Sequence, residues 1–460
     1  MIKSNIHNDL PDLKVTVAGV NFKSPIGVAA IAHHFGKDIP EDHEAPGEAD
    51  AKVLLKHIQA GAGYVYVNGF SATDATQKKL LERARREEVD RLQDATRTLK
   101  AETPVPPYGV EGVYYHVMAP FKLNTDQFRN FDIFTQNLIN TLRKNKPEDV
   151  PIISGILGLG DLPDTYVDGA KRCEELGVDL IELNFSCPGP AGMRGAVNDF
   201  FQKRFAPHFQ GTLIGDQPDL VEEVVRQVVK SVKIPVGAKL SAETGFPRIV
   251  GIAKAVRDAG AKYILVTGGA VGIVPPDIYH RGKPQWPFMD GNPFCLTSGS
   301  WLRRVCYRDV AAIAKFVPGI DIGAAGGLVT PEHCVEALML GASLTQLCTG
   351  VMEQGRGLIR KSTGFLKKFM AEQGYNKVQD IVGLGLPYIK YQEDVDMMEG
   401  QVVSELDETK CTRCGHCLDN LCTAIYSDRG KVRVNQNKCT GCGSCGVACQ
   451  QNAFKLVLRK

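Results

Sequence analysis

The stretch "GAAGGLVTPEHCVEALMLGASLTQLCTGVM" (residues 323–352) contains two short apolar runs that each end in a glycine-containing loop. Six further apolar runs precede it, and helical patterns such as 220–232 and 249–260 separate them. Eight buried strands, each followed by a helix, predict an α/β fold of the (β/α)8 TIM-barrel type. The predicted strands are 26–30, 64–67, 152–156, 179–184, 235–240, 263–268, 321–326 and 344–348.

A charged segment, residues 77–102, follows the second predicted strand. Its sequence, "QKKLLERARREEVDRLQDATRTLKAE", predicts a helical insertion in the barrel. The charged residues most simply form the solvent-exposed face of a helix, and the alternative is that they form a docking surface.

Composition excludes several classes of function. The chain has 460 residues, 43% hydrophobic and 23% charged, which is ordinary for a folded soluble protein. A net charge of +2 gives no reason to expect nucleic acid or an anionic membrane as a partner. The N-terminal "MIKSNIHNDLPDLKV" has no apolar signal region, and no apolar stretch approaches a membrane span. We therefore expect a cytoplasmic protein.

The 14 cysteines are unevenly distributed, with six between residues 173 and 348 and eight between 411 and 449. Because the chain has a large core and no export signal, metal binding is favoured over disulfides for the second group. This distribution predicts two domains. We expect a barrel over 1–390, a polar linker over 391–404 and a small α+β ferredoxin-like domain over 405–460.

The spacing of the C-terminal cysteines predicts two [4Fe-4S] clusters. Each group has three cysteines at two-residue gaps and a fourth further on, and in two-cluster ferredoxins that fourth thiolate ligates the other cluster. Paired zinc sites are the alternative, although zinc sites seldom repeat three cysteines at this spacing. Two departures from the ferredoxin pattern are the four-residue gap before Cys422 and Gln450, where proline is usual. The predicted ligand sets are Cys411, Cys414, Cys417 and Cys449, and Cys439, Cys442, Cys445 and Cys422.

Glycine loops follow the seventh and eighth strands, where barrels of this type often bind phosphate. Gly326, Gly327, Cys348 and Thr349 are therefore a candidate phosphate cradle, because glycines let backbone N–H groups approach phosphate oxygens. The alternative is that the glycines only make tight turns. No Gly-x-Gly-x-x-Gly opens a helix, so no Rossmann-type nicotinamide site is evident.

The fourth strand runs into "IELNFSCPGP" (181–190), which ends on Asn184, Ser186 and Cys187. Cys187 is a candidate proton donor, because a thiol of pKa about 8.5 can exchange a proton near neutrality. The alternative for Cys187 is an inert buried thiol. Lys239, at the end of the fifth strand, is a second candidate, and the alternative for it is an ordinary surface lysine.

These motifs, with "GAKL" and the double cysteine cluster, resemble the FMN barrel and ferredoxin tail of dihydropyrimidine dehydrogenases. The barrel alone is also similar to class 1 dihydroorotate dehydrogenases. The resemblance implies FMN, with its phosphate on the glycine loops and Lys239 near the flavin ring. It implies that Cys187 donates and accepts the proton and that Asn184 contacts substrate. Ser186 would help orient the substrate or relay that proton. The other flavin positions that the resemblance implies are Ala29, Ala30, Thr267, Ser298 and Gly299.

The sequence departs from the family at the substrate. Gly268 and Gly269 stand where asparagine and threonine are usual, and Asn68 replaces the usual lysine. A pyrimidine would lose amide partners at about 1–3 kcal/mol for each unmet hydrogen bond, which makes it a less favoured substrate. His33 and His34 follow the first strand and either contact substrate or make structural hydrogen bonds.

The function predicted is an FMN and iron–sulfur oxidoreductase that reduces, or reversibly oxidises, a C=C bond conjugated to a carbonyl in a small cyclic substrate. FMN N5 would supply hydride and Cys187 the proton. Electrons would come from a ferredoxin or a flavin-containing NAD(P)H-oxidising subunit, in a homodimer or hetero-oligomer. The alternative is an electron-transfer subunit whose FMN relays electrons to a partner enzyme. An FMN barrel isomerase would not need the clusters.

Overall fold

A computed structural model of the chain describes much of the barrel and most of the C-terminal region. The described residues are 11–29, 47–67, 91–102, 113–122, 131–156, 158, 163–186, 215, 217–266, 268–285, 294–396, 398, 400–419 and 422–459. For 91–102, 113–122, 131–132, 271, 294–296 and 392 only the backbone is described. The chain forms two compact units that divide between residues 386 and 387.

The first unit contains a short hairpin, eight barrel strands, the barrel helices and a small antiparallel sheet. Its strands are β1 (Val15–Val17), β2 (Val20–Phe22), β3 (Ile26–Val28), β4 (Val65–Val67), β5 (Arg91–Glu102), β6 (Val113–Lys122), β7 (Ile152–Ile156), β8 (Leu180–Asn184), β9 (Val236–Lys239), β10 (Tyr263–Val266), β11 (Ala270–Ile273), β12 (Phe294–Gly299), β13 (Asp321–Ala325) and β14 (Leu344–Leu347). Its helices are α1 (Glu48–Gln59), α2 (Phe131–Asn145), α3 (Pro163–Glu175), α4 (Pro218–Ser231), α5 (Arg248–Asp258), α6 (Arg303–Phe316), α7 (Pro331–Met339), α8 (Thr349–Gln354) and α9 (Gly357–Gln373).

The barrel is an eight-stranded parallel sheet in the order β3-β14-β13-β10-β9-β8-β7-β4. These are the eight strands that the apolar runs predict, so the predicted TIM-barrel fold is confirmed. Between β3 and β4 the backbone N–H of Gly63 donates to the carbonyl of Ile26 (2.8 Å). A Cβ on Gly63 would lie 2.2 Å from the carbonyl oxygen of Ser24, so only glycine allows this close approach.

Three tyrosines, Tyr64, Tyr66 and Tyr263, fill the lower barrel interior, and glycines on neighbouring strands make room for them. A Cβ on Gly27 would lie 2.3 Å from the ring of Tyr64, and one on Gly323 would lie 2.0 Å from the hydroxyl of Tyr263. The N-terminal hairpin of β1 and β2 closes this end, since Val15, Val17 and Phe22 pack in the same buried cluster. The interior is therefore a packed core up to the level of the strands' carboxyl ends.

The helix predicted for 91–102 is wrong: this segment is strand β5, paired antiparallel with β6. The two belong to a four-stranded sheet in the order β11-β12-β6-β5. Strand β6, "VYYHVMAPFK", is rich in aromatic and β-branched residues, so it offers β5 a pairing edge that outweighs the helix propensity of 91–102. Residues 77–90 of the predicted insertion lie outside the described residues.

The second unit is built from short antiparallel pairs around the cysteines. Strand β15 (Val402–Leu406) pairs with β18 (Phe454–Leu458), and β16 (Ile425–Asp428) pairs with β17 (Lys431–Val434). Helix α10 covers Ser444–Ala448. Strand β15 begins inside the segment predicted as a linker, because its backbone hydrogen bonds go to the C-terminal strand. None of the described helices of the chain is long and apolar enough to cross a membrane.

Candidate active site and cysteine clusters

Asn184 and Ser186 form a rigid pair at the carboxyl end of β8. The backbone N–H of Ser186 donates to Asn184 Oδ1 (3.1 Å), and the Ser186 hydroxyl donates to the same oxygen (2.8 Å). The intervening Phe185 is buried, and its N–H donates to the carbonyl of Lys239 (3.0 Å). These bonds fix the orientation of the Asn184 amide and the Ser186 hydroxyl at the mouth of the barrel.

Lys239 lies beside this pair. It ends β9 and is in register with Asn184 on β8. A Cβ on Gly268, two residues past the end of β10, would lie 3.0 Å from Ser186 Oγ and 3.8 Å from Lys239 Cε. The structure therefore brings Asn184, Ser186 and Lys239 together, and the space they share is one that a side chain at 268 would enter.

The glycine loop after β13 adjoins the start of α6. Gly326 and Gly327 have φ of 114° and 77°, a left-handed conformation that favours glycine. A Cβ on Gly327 would lie 2.3 Å from the backbone nitrogen of Arg303. The segment just before Arg303 carries Ser298 and Gly299, with Gly299 at φ 122°. The loop after β13 thus contacts Arg303, which follows the Ser298–Gly299 segment in the chain.

The loop after β14 lies next to the first loop. A Cβ on Gly350 would lie 2.9 Å from Val329 Cα, and Gln354 Nε2 donates to the carbonyl of Val329 (2.7 Å). Burial raises the pKa of the Cys348 thiol to about 11, against the opposing effect of the Lys239 ammonium. Cys348 is therefore a neutral thiol at neutral pH. Because the thiolate is the reactive form, this favours a structural role in the loop over a role as nucleophile.

Sequence reasoning did not identify Arg303 and His333, which brace the same loop. The backbone N–H groups of Val329 and Thr330 donate to His333 Nδ1 (3.2 and 3.3 Å), and the Arg303 guanidinium contacts the His333 ring. Burial and the nearby Arg303 lower the pKa of His333, so its ring is neutral and can accept these bonds. The feature of the sequence that points to this pair is a positively charged residue, Arg303, soon after Ser298 and Gly299.

Several predicted site residues lie outside the described part of the chain, so their placement stays a prediction. Ala29, by contrast, is described, and its N–H donates to the carbonyl of Leu347 (2.9 Å) at the end of β14. The predicted residues outside the described ranges are Ala30, His33, His34, Asn68, Cys187 and Thr267.

The two cysteine groups have matching backbones. In the first, Arg413 and Gly415 have positive φ (56° and 85°), and in the second Gly441 and Gly443 do (70° and 77°). Burial raises the pKa of Cys417. The thiols that raise it further are Cys411, Cys414 and Cys449, the set predicted to share one cluster.

Ser404 of β15 contacts the second cysteine group. Its N–H donates to Cys439 Sγ (3.3 Å), and its hydroxyl lies 3.0 Å from Cys445 Sγ. The N–H of Ala453 donates to Cys449 Sγ (3.4 Å). Hydrogen bonds to sulfur are typical of iron–sulfur ligands. Among the described residues no three His, Cys, Asp or Glu side chains converge on a single-ion site. Each cysteine of a cubane binds a different iron, so such convergence is not required of a cluster.

Comparison with known proteins gives two family matches. The model of the dihydroorotate dehydrogenase family matches residues 100–370, more than half of the chain. The model of the 4Fe-4S binding domain matches residues 432–455, which contain Cys439, Cys442, Cys445 and Cys449.

Similar curated proteins are dehydrogenase subunits. The chain is 32% identical over 236 residues to the catalytic subunit of dihydroorotate dehydrogenase B (NAD(+)) from Thermoplasma volcanium, covering 51% of this chain and 68% of that protein. It is 27% identical over 282 residues to the NAD-dependent dihydropyrimidine dehydrogenase subunit PreA from Escherichia coli K12, covering 61% of this chain and 63% of PreA. The Methanocaldococcus jannaschii dihydroorotate dehydrogenase B catalytic subunit is 32% identical over 238 residues, covering 51% and 67%.

Proposed function

The chain belongs to the dihydroorotate dehydrogenase family, and on that premise we propose that it reduces, or reversibly oxidises, a C=C bond conjugated to a carbonyl in a small cyclic compound. Membership makes it an oxidoreductase of CH–CH bonds with a flavin and a 4Fe-4S domain. The observation that carries the finer proposal is the cluster of Asn184, Ser186 and Lys239 at the carboxyl ends of β8 and β9. Catalytic groups of such barrels come from these strand ends.

The residues present fit FMN. The two adjoining loops would hold its phosphate, because the left-handed Gly326 and Gly327 let the start of helix α6 at Arg303 come close to the loop, and backbone N–H groups at a helix N-terminus favour an anion. Lys239 would place a cation at the ring, where negative charge develops on reduction. The remaining positions proposed for the flavin are Ala29, Ala30, Thr267, Ser298, Gly299, Cys348 and Thr349.

When bound, FMN supplies the hydride. The chain's own groups would do the rest. Cys187 would give its thiol proton to the carbon next to the one that takes hydride, and return to the thiol by taking a proton from solvent. The Ser186 hydroxyl, held by Asn184 Oδ1, would orient the substrate or relay that proton. The fixed Asn184 amide would bind the carbonyl end of the substrate.

The cofactor proposal includes a second cluster. The 4Fe-4S match covers the second cysteine group, and the first group repeats its two two-residue gaps and its positive-φ positions. The electrostatic neighbours of Cys417 support ligation of the first cluster by Cys449. We expect about one FMN and about eight iron atoms per anaerobically purified chain, measured by acid release of the flavin and iron assay. A chain without flavin would overturn the proposed function.

Substitution of Ser404 tests the second cluster. Ser404→Ala removes a hydroxyl donor from Cys445, so the cluster loses a bond that stabilises its reduced, more negative form. We expect its reduction potential to fall by on the order of 50 mV, which corresponds to part of the free energy of a hydrogen bond to a charged group. A redox titration followed by electron paramagnetic resonance measures this. Ser427→Ala, at an exposed serine of β16, is the control and should change neither cluster. An unchanged potential in Ser404→Ala would separate Ser404 from the cluster.

The substrate edge near Gly268 lacks the amide partner that a pyrimidine ring needs. A Cβ at this position would lie 3.0 Å from Ser186 Oγ and 3.1 Å from Ser186 Cβ. The present arrangement of Ser186 therefore depends on glycine at 268. We infer a substrate whose facing edge makes fewer hydrogen bonds than that of uracil.

Gly268→Ala is expected to keep flavin and to lower kcat/KM by about 10-fold, because the Cβ displaces the Ser186 hydroxyl from Asn184 and removes about one hydrogen bond. Steady-state kinetics with flavin quantified in each preparation measures the effect. Gly251→Ala is a matched control, since a Cβ on this exposed α5 glycine meets nothing within 4 Å. Equal kinetics of the two variants would contradict the role of Ser186.

The electron partner is proposed to be a ferredoxin or a flavin-containing NAD(P)H-oxidising subunit. PreA and the dihydroorotate dehydrogenase B proteins are named as subunits, which supports assembly as a hetero-oligomer.

A further inference from the structure

A carboxyl group, Glu182, is fully enclosed in the barrel interior below the candidate site. It lies two residues before Asn184 on β8, and alternate strand residues share a face, so both point into the barrel. Its neighbours in register are Gly155 on β7 and Gly237 on β9. Because neither glycine has a side chain, the Tyr66 hydroxyl and the Tyr263 ring can pack at this level of the interior, next to the carboxyl group. Glu182 is 0% exposed.

One oxygen of this carboxyl group is held by a phenol. The Tyr66 hydroxyl donates to Glu182 Oε1 (2.8 Å). A Cβ on Gly155 would lie 2.2 Å from the Tyr66 hydroxyl oxygen, so the phenol needs glycine at this position. The other oxygen, Oε2, has no hydrogen-bond partner among the residues that the structure describes. A buried carboxylate with one such bond needs a nearby cation to be stable.

In the part of the chain that the structure describes, Lys239 is the cation that faces Glu182. It lies on the neighbouring strand β9, two residues beyond the glycine paired with Glu182. Among the described residues, the other titratable groups that face Glu182 are phenols: Tyr64 just before β4, Tyr66 on β4, and Tyr263 on β10. Burial raises the pKa of Glu182 to about 7, while Lys239 and the Tyr66 hydrogen bond oppose the increase.

We propose that Glu182 is a positioning residue whose carboxylate partly neutralises the positive charge of Lys239. Whether Glu182 is ionised then sets how many protons enter the barrel when the bound flavin is reduced. This rests on the proposed function. Reduction of a bound flavin with two electrons and one proton would leave one negative charge, which Lys239 would face. When Glu182 is ionised beforehand, that charge repels its carboxylate, which takes up a second proton from solvent. When Glu182 is already protonated, no second proton is needed.

Flavin reduction potentials against pH test the proposal. In the wild type the potential should fall more steeply with pH above about pH 7 than below it. Above that pH Glu182 is ionised before reduction and takes up one more proton with each electron pair. In Glu182→Gln, a neutral mimic of the acid, the extra slope should vanish. The two proteins should agree at pH 5.5, and the variant should have the higher potential at pH 9. Parallel curves at every pH would overturn the proposal.

Tyr66→Phe separates titration of Glu182 from a structural role. Removing the hydroxyl donor disfavours the carboxylate, so the break in slope should move to higher pH. A break that stays in place would show that another group titrates.

Unfolding of the cofactor-free chain gives a second measurement that does not depend on flavin. A carboxyl whose pKa is raised in the folded state binds more protons folded than unfolded, so it lowers stability as pH rises from about 4.5 to about 7. Glu182→Gln should therefore unfold at a higher urea concentration than the wild type at pH 8, with a smaller difference at pH 5. This result supports the buried, pH-dependent carboxyl even if the chain holds no flavin. Equal midpoints at both pH values would overturn it.

Discussion

Replacing Cys187 by alanine is expected to leave FMN bound and to lower turnover by about 10²–10⁴-fold, the usual contribution of a positioned proton donor. Hydride addition to one carbon of a conjugated C=C bond requires a proton at its neighbour, and alanine has none to give. Cys187 follows directly on Ser186, whose hydroxyl is fixed by Asn184. The measurement is steady-state turnover, with flavin content determined by absorbance after acid release.

Cys173→Ala is the matched control for this prediction. Cys173 is buried in α3, its thiol donates to Ser154 Oγ (3.4 Å), and burial raises its pKa to about 11. This variant should turn over like the wild type. If Cys187→Ala also kept full turnover, the chain would fit an electron relay with the chemistry in a partner protein, and not a reductase.

Gly327→Ala is expected to weaken FMN binding by about 100-fold or more. A side chain at a left-handed position costs about 1–3 kcal/mol. In addition, the new Cβ would lie 2.3 Å from Arg303 N and 2.8 Å from Arg303 Cα. These are backbone atoms, so no rotamer change relieves the clash, and the loop must move away from the start of α6. Titration of the cofactor-free variant with FMN, followed by flavin fluorescence, measures the affinity.

The control for the loop is Gly357→Ala. Gly357 opens α9, is exposed, and a Cβ there meets nothing within 4 Å. This variant should bind FMN with wild-type affinity and unfold at the wild-type temperature. FMN affinity unchanged by Gly327→Ala would place the phosphate away from this loop.

The barrel was predictable because each of its strands is a short apolar run between helical patterns, and parallel strands are buried on both faces. The segment 91–102 was not, since "RLQDATRTLKAE" has no clear strand alternation and its structure comes from pairing with β6. A hairpin partner 11 or more residues away is a tertiary effect that local propensity does not contain.

The site was predictable where chemistry follows strand ends, as for Asn184, Ser186 and Lys239, which the structure brings together. Glu182 had a signal that was not used: an acid inside the apolar run "DLIELN". Its meaning depends on Tyr66 and Lys239, which come from other strands. The brace of Arg303 on His333 also joins two elements that are distant in sequence.

In the second unit, cysteine spacing predicts ligands but not the groups that tune them. Ser404 lies in the stretch predicted as a linker, and only the pairing of β15 with β18 brings its hydroxyl to Cys445. The positive φ of Arg413 matches that of Gly441, a correspondence that the different residue types conceal.

The most direct test of the central claim is an anaerobic reoxidation. The purified protein is reduced with dithionite and mixed with cyclic compounds that carry a C=C bond conjugated to a carbonyl, with uracil among them. Flavin and cluster absorbance and the products are then followed. We predict reoxidation by a cyclic enone or unsaturated lactam, with one saturated product for every two electrons that the flavin and the clusters give up, and little reaction with uracil. Rapid formation of dihydrouracil would contradict the inference from Gly268. A flavin that only a protein acceptor reoxidises would contradict the reductase itself.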